Sequence, residues 1–594
     1  MSESISNERL SKRNLWGYSM GGIGRDMAYQ LVNTYLLTFI TFTKGLSNTE
    51  FAMVGVIMVI CRIFDGCNDP FMGSLIEITR TKIGKFKPWI LAGVFTNVAV
   101  IIALFCVPLR GTSYLIFFAF GYLLWGMTYT MNDISYWGML PSLTSNPGDR
   151  NNLTTLANIG AGIGAGLSVL AIPSLTQGNL AIASNASKSY AIVSIIVCIV
   201  FFVCQIMTVF VVKEKPLPKV RVDDGEKRSL KDMFKVIFKN DQLKPVMASM
   251  LLYNIGSCIT MALASYWIYY RFAYQGLLVT LFTVISGVST LVIVFFPMMC
   301  KKHSRRWISK LSMIMIIVGY LLMFVISLTT GINPDADKVG FKIGEVLIPV
   351  TFIFTGLTGA CAFFGQTLFY QVLTISVANT VEYNEYKTGM RDEGVIFACR
   401  PFTAKLGSAA VVGITTLVVL ALGLNPTNKA ISNADYEAGQ LAVQVEQLVK
   451  DETPNFDSLS KEEQTKLIEA KKKSIETENV AKIENIIHTN EDTKVAKWQY
   501  QTMFAFMTLL PLVILLGSFA IYFKKYNISE ERYDEICAEI AKRKLAAEGS
   551  AEVVLDVNEL ENDLASSDAE TPDEIFEQEA AADKISKAPD EVEK

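Results

Sequence analysis

Eight ionisable side chains stand inside long apolar stretches of this sequence: Arg25 and Asp26, then Arg62, Asp65 and Asp69, then Asp133, and finally Arg400 and Lys405. At the centre of a bilayer such a residue costs roughly 2.5–3.5 kcal/mol on insertion scales, so each needs a partner or a task. Asp65 and Asp69 are four apart and share one helix face, with Arg62 a turn earlier and Asn68 at the edge of that face. Two carboxylates and an amide oxygen turned into a helix bundle make a cage of hard oxygens, suited to Na⁺ or to a shared proton. Thr130 and Asp133, three apart on another stretch, add a hydroxyl and a third carboxylate. The competing assignment has each acid pair with Arg25, Arg62 or Lys405 to hold helices together; four acids in the first half of the chain favour the cage. Asp133 also has Tyr129 one turn back and Trp137 one turn on. One helix face then offers hydrogen-bond groups for vicinal hydroxyls and a flat aromatic surface for the C–H side of a polyol ring.

The elements that carry these residues read as membrane helices. The chain has 594 residues, 51% hydrophobic and 19% charged, with the charges in blocks between apolar stretches, a polytopic membrane composition. At about 20 apolar residues per crossing, spans fall near 16–43, 50–76, 89–109, 113–142, 153–177 and 189–212. A second set falls near 244–271, 276–299, 308–329, 343–376, 394–424 and 498–523. Twelve transmembrane helices in two six-helix halves, an all-α membrane protein, have the layout of the major facilitator fold. Arg80, Lys82, Lys85 and Lys87 follow span two, eight basic residues from Lys213 to Lys235 fill the middle segment, and Lys301, Lys302, Arg305 and Arg306 follow span eight. The alternate loops carry only Arg110, Lys188 and Arg271. Basic loops stay inside, which places both termini in the cytoplasm and the chain in the plasma membrane. A basic cluster ending in Trp89 after span two is echoed by Arg305, Arg306 and Trp307 after span eight, a trace of a repeated unit.

The organisation expected is then a cytoplasmic N-terminus over 1–15, a first half over 16–212, a cytoplasmic loop over 213–243, spans seven to eleven over 244–424, an extracytoplasmic helical insertion over 425–497, span twelve over 498–523 and a cytoplasmic acidic tail over 524–594. The first span is too long, and too poorly bounded by small residues, for a cleaved signal. The insertion has a capping box at Ser460 and Glu463; of a helical hairpin over the outer mouth and an exposed spacer, the spacer is favoured. The tail opens with an amphipathic stretch at Tyr533, Ile536 and Ile540 and then becomes acidic and Ala/Ser-rich, a disordered composition.

Composition also excludes classes. A net charge of −3 hides basic loops balanced by an acidic tail and gives no ground for nucleic-acid binding. The ten cysteines form no CxxC pair, and the two histidines, His303 and His488, lie outside the apolar stretches, read as solvated loop residues. Neither a disulfide framework nor a zinc site is expected. No nucleophile, base and orienting group occur together, so an enzyme is not expected, and no cofactor. A monomer surrounded by lipid is the expected assembly.

Several of these segments resemble one family. RIFDGCNDPFMG at 62–73, GKFKPW at 84–89 and WGMTYTMNDISYW at 125–137 are similar to the glycoside-pentoside-hexuronide:cation symporters. ANTVEYNEYKTGMR at 378–391 and Lys405 in AKLGSA carry the likeness through roughly residues 10–425 and span twelve. The resemblance implies symport of a sugar, glycoside or uronide with Na⁺, H⁺ or Li⁺ by alternating access. It implies cation-site roles for Asp65, Asp69, Thr130 and Asp133, and sugar contacts for Asp26, Asp133, Trp137 and Tyr370, with Lys405 near the cation. Arg25 and Tyr129 join the sugar side by adjacency, and Arg62 joins Lys405 in coupling. Two positions depart from the pattern: Asn158 stands where an arginine in span five would meet sugar, and Arg400 stands where span eleven would carry a neutral amide. Asn158 and Arg400 are therefore added to the substrate set. A lysolipid carrier of the same superfamily and a non-transporting sugar sensor are the alternatives; the first lacks an apolar side opening in this residue set, and the second lacks a signalling domain after span twelve.

Overall fold

The computed structural model describes residues 10–144, 147–214, 239–330, 339–343, 346–389 and 392–543. The first half is built from α1 (Lys12–Thr43), α2 (Asn48–Ile78), α3 (Lys87–Cys106), α4 (Gly111–Leu143), α5 (Pro147–Thr176) and α6 (Ala186–Val211). In the second half, α7 (Leu243–Arg271) is followed by α8 (Gly276–Lys302), which contains a 3₁₀ stretch at Thr290–Phe295. Next come α9 (Arg305–Thr330), α10 (Val350–Thr388) and α11 (Glu393–Ala421). Three helices then intervene, α12 (Asn425–Val443), α13 (Val445–Glu452) and α14 (Lys461–His488), before α15 (Lys497–Lys525). Local chemistry sets many of the boundaries. Ser11 caps α1, Ser47 and Glu50 form a capping box on α2, and Pro88 sits in the first turn of α3.

Among the described residues, ten helices are long and apolar enough to cross a membrane. The other two long helices of the first half, α1 and α2, have 32 and 31 residues and carry five of the eight embedded charges, which lowers their mean hydropathy. Outward faces are apolar at helical spacing, as with exposed Ile196, Ile199 and Val203 on α6, the surface that lipid covers.

Helix packing repeats between halves. In the first half α1 lies against α5 and α6, and α3 against α6; in the second, α7 lies against α11 and α15, and α9 against α15. The halves meet where α2 packs on α11 and α5 on α8. Small residues set the closest approaches. A Cβ at Gly160 or Gly164 of α5 would strike the Ser19 or Ile23 carbonyl of α1, and one at Gly24 would lie 2.6 Å from the Phe201 Cα of α6. Helix α1 is thus wedged between two neighbours with no room for side chains on those faces.

Three expectations are corrected. Residues 343–349 are not the start of span ten: Gly340–Ile343 and Val346–Pro349 form an antiparallel hairpin, β1–β2, favoured by β-branched Ile343, Val346 and Ile348. Helix α10 runs on to Thr388 instead, because ANTVEYNEYKT holds no Gly or Pro until Gly389, whose φ of 73° stops it. The 425–497 insertion is not a spacer; it packs on the helix ends. The Ser460–Glu463 capping box does open α14. His488 at the end of α14 is exposed, yet its Nε2 lies 3.0 Å from the Tyr270 carbonyl. The middle-segment basic residues from Lys215 to Lys235 and the acidic tail from 544 onward lie outside the described residues.

The described residues 382–389 and 529–543 belong to a unit of their own. Within it, residues 530–543 are helical, Ile536 and Ile540 are buried on the expected apolar face, and Arg543 donates to the Tyr386 carbonyl at 2.8 Å.

Gly162 and Gly164 give a matched pair of positions on α5: a Cβ at Gly162 meets nothing within 4 Å. Gly164→Ala should lower the thermal midpoint in detergent by several degrees, reflecting about 1–3 kcal/mol of overpacking, whereas Gly162→Ala should leave it within a degree or raise it slightly. Thermal shift followed by size-exclusion chromatography reads the difference.

Candidate functional site

Helices α1, α2, α4 and α11 enclose a cavity of about 290 Å³. Seven of the eight embedded charged residues line it, all but Arg400. Their spacing explains this for α2: Arg62, Asp65 and Asp69 recur at three and four residues and so share the face turned inward.

Two charge clusters divide the cavity wall. In the first, the Lys405 ammonium on α11 donates to both oxygens of Asp69 at 2.8 and 2.6 Å and lies 3.0 Å from Asp65. The Thr130 hydroxyl on α4 donates to Asp65 at 2.6 Å and reaches Asp69 at 3.4 Å. Three helices from two halves thus converge on one pair of carboxylates. In the second cluster, Arg25 donates to Asp26 at 2.9 and 2.5 Å and lies 3.0 Å from Asp133. Its guanidinium, 3% exposed, stacks over the rings of Tyr136 and Trp137 at 4.8 and 4.7 Å. Such burial is tolerable because both acids and two ring faces neutralise the charge. Arg62 donates to the Ser408 hydroxyl on α11 at 2.7 Å and to the Asn33 carbonyl on α1 at 3.4 Å, a second tie between halves.

The predicted cation set separates. Asp65, Asp69 and Thr130 gather around Lys405, while Asp133 is held by Arg25 and so stands with Asp26. Asn68 is buried, does not line the cavity, and its Nδ2 has no hydrogen-bond partner among the described residues. Of the predicted sugar set, Arg25, Asp26, Tyr129 and Asp133 line the cavity, and Trp137 backs Arg25 instead. Asn158 is exposed and donates to the Thr154 carbonyl of its own helix at 2.9 Å. Arg400 and Tyr370 lie outside the cavity wall and bond each other, guanidinium to phenol oxygen, at 3.1 and 2.8 Å. Of the aromatic wall only Tyr129 was recognised in the sequence; Tyr29, Tyr122 and Trp125 were not. Tyr122, Trp125 and Tyr129 stack down one face of α4, with centroids 5.4 and 5.7 Å apart, and Tyr29 of α1 packs 5.1 Å from Tyr129. Their spacing from Asp133 and Asp26, at multiples of three and four, was the available signal.

Chemically, the first cluster is an oxygen cage already occupied by an ammonium ion. Among the described residues no group of three or more His, Cys, Asp and Glu side chains gathers as a metal site. Two carboxylates and a hydroxyl suit a monovalent cation or a proton. The second cluster, beside the tyrosines and Trp125, presents carboxylate acceptors next to flat apolar faces, the complement of a polyhydroxylated ring.

A profile of the MFS/sugar transport protein family matches residues 17–442. The raffinose carrier protein of Pediococcus pentosaceus is 26% identical over 71% of this chain and 64% of its own length. The lactose permease of Lactobacillus delbrueckii subsp. bulgaricus is 28% identical over 68% of this chain and 63% of its own. The isoprimeverose transporter of Lactiplantibacillus pentosus is 27% identical over 69% of this chain and 80% of its own. The chain thus spans a little under two thirds of the first two relatives and four fifths of the third.

The Lys405 cluster makes a direct prediction about stability. Lys405→Met leaves two carboxylates facing each other and should lower unfolding free energy by on the order of 1–3 kcal/mol, less than for a fully buried pair because the three side chains are partly solvated. The double variant Lys405→Met with Asp69→Asn should recover part of that loss. A thermal-unfolding cycle over the four proteins measures the coupling.

Proposed function

Because the chain belongs to the MFS/sugar transport family, among its glycoside-pentoside-hexuronide:cation symporters, we propose that it carries a sugar, glycoside or uronide across the plasma membrane together with Na⁺ or H⁺. Twelve crossings, with both termini in the cytoplasm, complete the proposal. The observation that carries it is the Lys405 tie: a cation on α11 of one half neutralising two acids on α2 of the other, inside the cavity between them.

The tie supplies a coupling mechanism. Na⁺ or a proton competes with the Lys405 ammonium for the same oxygens. When it binds, Lys405 is released and one connection between the halves is lost. Sugar binds at Asp26, Asp133 and the wall of Tyr29, Trp125 and Tyr129. Its hydroxyls donate to carboxylates that Arg25 holds in place, and its C–H face lies on the rings. With both ligands bound, the cavity's charges are satisfied without Lys405 and the halves are free to rock about the site. When no cation is bound the cage regains the Lys405 tie, which opposes movement with sugar alone.

Asp69→Asn should abolish uphill accumulation of labelled sugar in proteoliposomes under a Na⁺ or pH gradient while leaving exchange or binding measurable. Asp65→Asn should weaken Na⁺ dependence more than proton-driven uptake, since one acid still carries a proton. Accumulation by both variants equal to the parent would rule out the cage.

Arg400 tests the specificity half of the proposal. It already holds Tyr370, so Arg400→Gln frees that phenol and removes a fixed donor fork. If the pair contacts substrate, the dissociation constant should rise by about one to two orders of magnitude, the equivalent of a charge-assisted hydrogen bond of roughly 1.5–3 kcal/mol, with cation affinity little changed. Normal sugar binding with a lowered thermal midpoint would make Arg400 structural.

A further inference from the structure

The insertion forms a second layer at one end of the bundle. Both of its roots lie in the second half. The chain leaves α11 through Gly423, with φ of 65°, and re-enters at Ala496. Gln499 joins the roots: its Nε2 donates to the Leu422 carbonyl at 2.7 Å, and its oxygen accepts the Ala496 N–H at 2.7 Å. On the same half, Asn428 accepts from the Tyr270 hydroxyl at 2.6 Å.

From these roots the insertion reaches across to the first half. Asn425 donates to the Leu46 carbonyl at 3.0 Å and to Asn48 at 2.8 Å. Arg110, in the turn between α3 and α4, donates to the Ser432 carbonyl, the Ser432 hydroxyl and Asn433 at 3.0, 2.8 and 3.0 Å, and its guanidinium covers the Tyr436 ring. Asp435, 2% exposed, accepts the N–H groups of Ala186 and Ser187 at 2.5 and 3.2 Å. It thereby places a carboxylate on the N-terminus of α6, where the helix dipole favours an anion. Asn185 returns a bond to the Asp435 carbonyl at 2.9 Å.

This is also the end at which the halves themselves are sealed. Phe42 of α1 is packed among Tyr266, Tyr269, Tyr270 and Tyr274, Thr41 bonds Tyr266 at 3.0 Å, and Ser174 of α5 bonds Thr280 of α8 at 2.8 Å. Asp65 lies about 25 Å farther along α2 than its first residue, at 1.5 Å per residue. A segment anchored in one half and bonded to the other at 2.5–3.2 Å cannot keep those bonds while the two helix ends separate by several ångströms.

We propose that residues 425–494 are a latch across the two halves, which must release Arg110 and the N-terminus of α6 each time this end of the transporter opens. The proposal rests on the alternating-access reading above. Asp435 gives the latch a pH dependence. The groups facing it are Arg110 from the α3–α4 turn, Lys44 from the end of α1, Tyr274 after α7 and the N–H groups of Ala186 and Ser187, and Lys473, Glu476 and Glu484 of α14 line the same pocket. Burial pushes its carboxyl up to about 6, although the two N–H groups, Arg110 and Lys44 hold it down. An acid raised in the closed latch is better accommodated there when protonated; released into water it returns to the ordinary carboxylate range near 4. The latch is therefore tightest below about pH 4 and loosens as pH rises through about 6.

The test uses the full chain, with its native cysteines replaced, in nanodiscs. Nitroxides are placed at Leu180→Cys in the first half and Phe341→Cys in the second, two exposed positions at the latched end. Pulsed electron paramagnetic resonance then reads the distance between them, with lactose and raffinose as probe sugars and Na⁺ present. The parent should show a main distance and a minor longer one, the longer falling severalfold between pH 7 and pH 5. Arg110→Ala should raise the longer population severalfold at pH 7, and Asn433→Ala, a milder change, should raise it less. Asp435→Asn should make the population the same at both pH values. An unchanged distribution in both Arg110→Ala and Asn433→Ala, in a parent that takes up labelled sugar and does populate the longer distance, overturns the latch and leaves transport standing. A parent that neither takes up either sugar nor shows a second distance under any condition overturns alternating access, and the latch with it. A longer population that grows on acidification overturns the role given to Asp435.

Discussion

A charge inside a low-dielectric layer is best met by an opposite charge, and in this molecule three of the four such pairs in the cavity join different helices. Arg25 serves Asp26 and Asp133, and Lys405 serves Asp65 and Asp69. Breaking such a pair by removing one side leaves an uncompensated charge, commonly at 3–5 kcal/mol for a buried pair. That cost fixes which helices line the cavity. It also makes the site responsive, because anything that neutralises the acids in another way, such as a metal cation, a proton or a ring of hydroxyls, changes what the basic residues need to hold.

The two clusters act on different boundaries. Arg25 binds α1 to α4 within the first half, so its effect is to fix the Asp26 and Asp133 carboxylates in place. Lys405 binds α11 to α2, between halves, so its effect is to make the relation of the halves depend on the charge of the cage. Arg62, through its bond to the Ser408 hydroxyl, adds a tie at the same boundary that involves no acid. The glycine contacts of α1 with α5 and α6 are what allow this division. They hold α1 so closely that Arg25 and Asp26 cannot drift from the cavity, and packing there comes from van der Waals contact where no hydrophobic drive exists between helices in lipid.

The insertion adds a third boundary, at the far end from the charges. Its polar contacts replace what would otherwise be solvated helix ends: the Asp435 carboxylate takes two N–H groups that α6 leaves free at its start, and Arg110 takes carbonyl and side-chain oxygens of α12. A transporter that opens at that end exposes all of these groups to water again. The balance between the seal and water is therefore set by desolvation, the same quantity that governs the cavity.

The long apolar helices, ten of them able to cross a membrane among the described residues, were legible in the sequence because the bilayer imposes one length and one polarity on each, and because positions three and four apart must share a face. The same rule put Arg62, Asp65 and Asp69 together and Tyr129 beside Asp133, and it would have found Tyr122 and Trp125 had it been carried further back along that face. Local chemistry was legible as well: the Ser460–Glu463 box opens α14, and the apolar face of Ile536 and Ile540 is buried. What the sequence left open was which charge meets which, since any of Arg25, Arg62 and Lys405 could neutralise any acid. Only the packing of α11 on α2 gave Asp65 and Asp69 to Lys405, and only the proximity of α1 to α4 gave Asp133 to Arg25. Asn158 and Arg400 were placed by analogy of position, and the fold put the first on an exposed face and bonded the second to Tyr370. The insertion was misread as a spacer because its longest helix, α14, is dominated by Lys and Glu. Many of its partners are backbone groups at helix ends, and a backbone N–H or carbonyl carries no mark in the sequence until the tertiary structure decides whether water or a side chain will satisfy it.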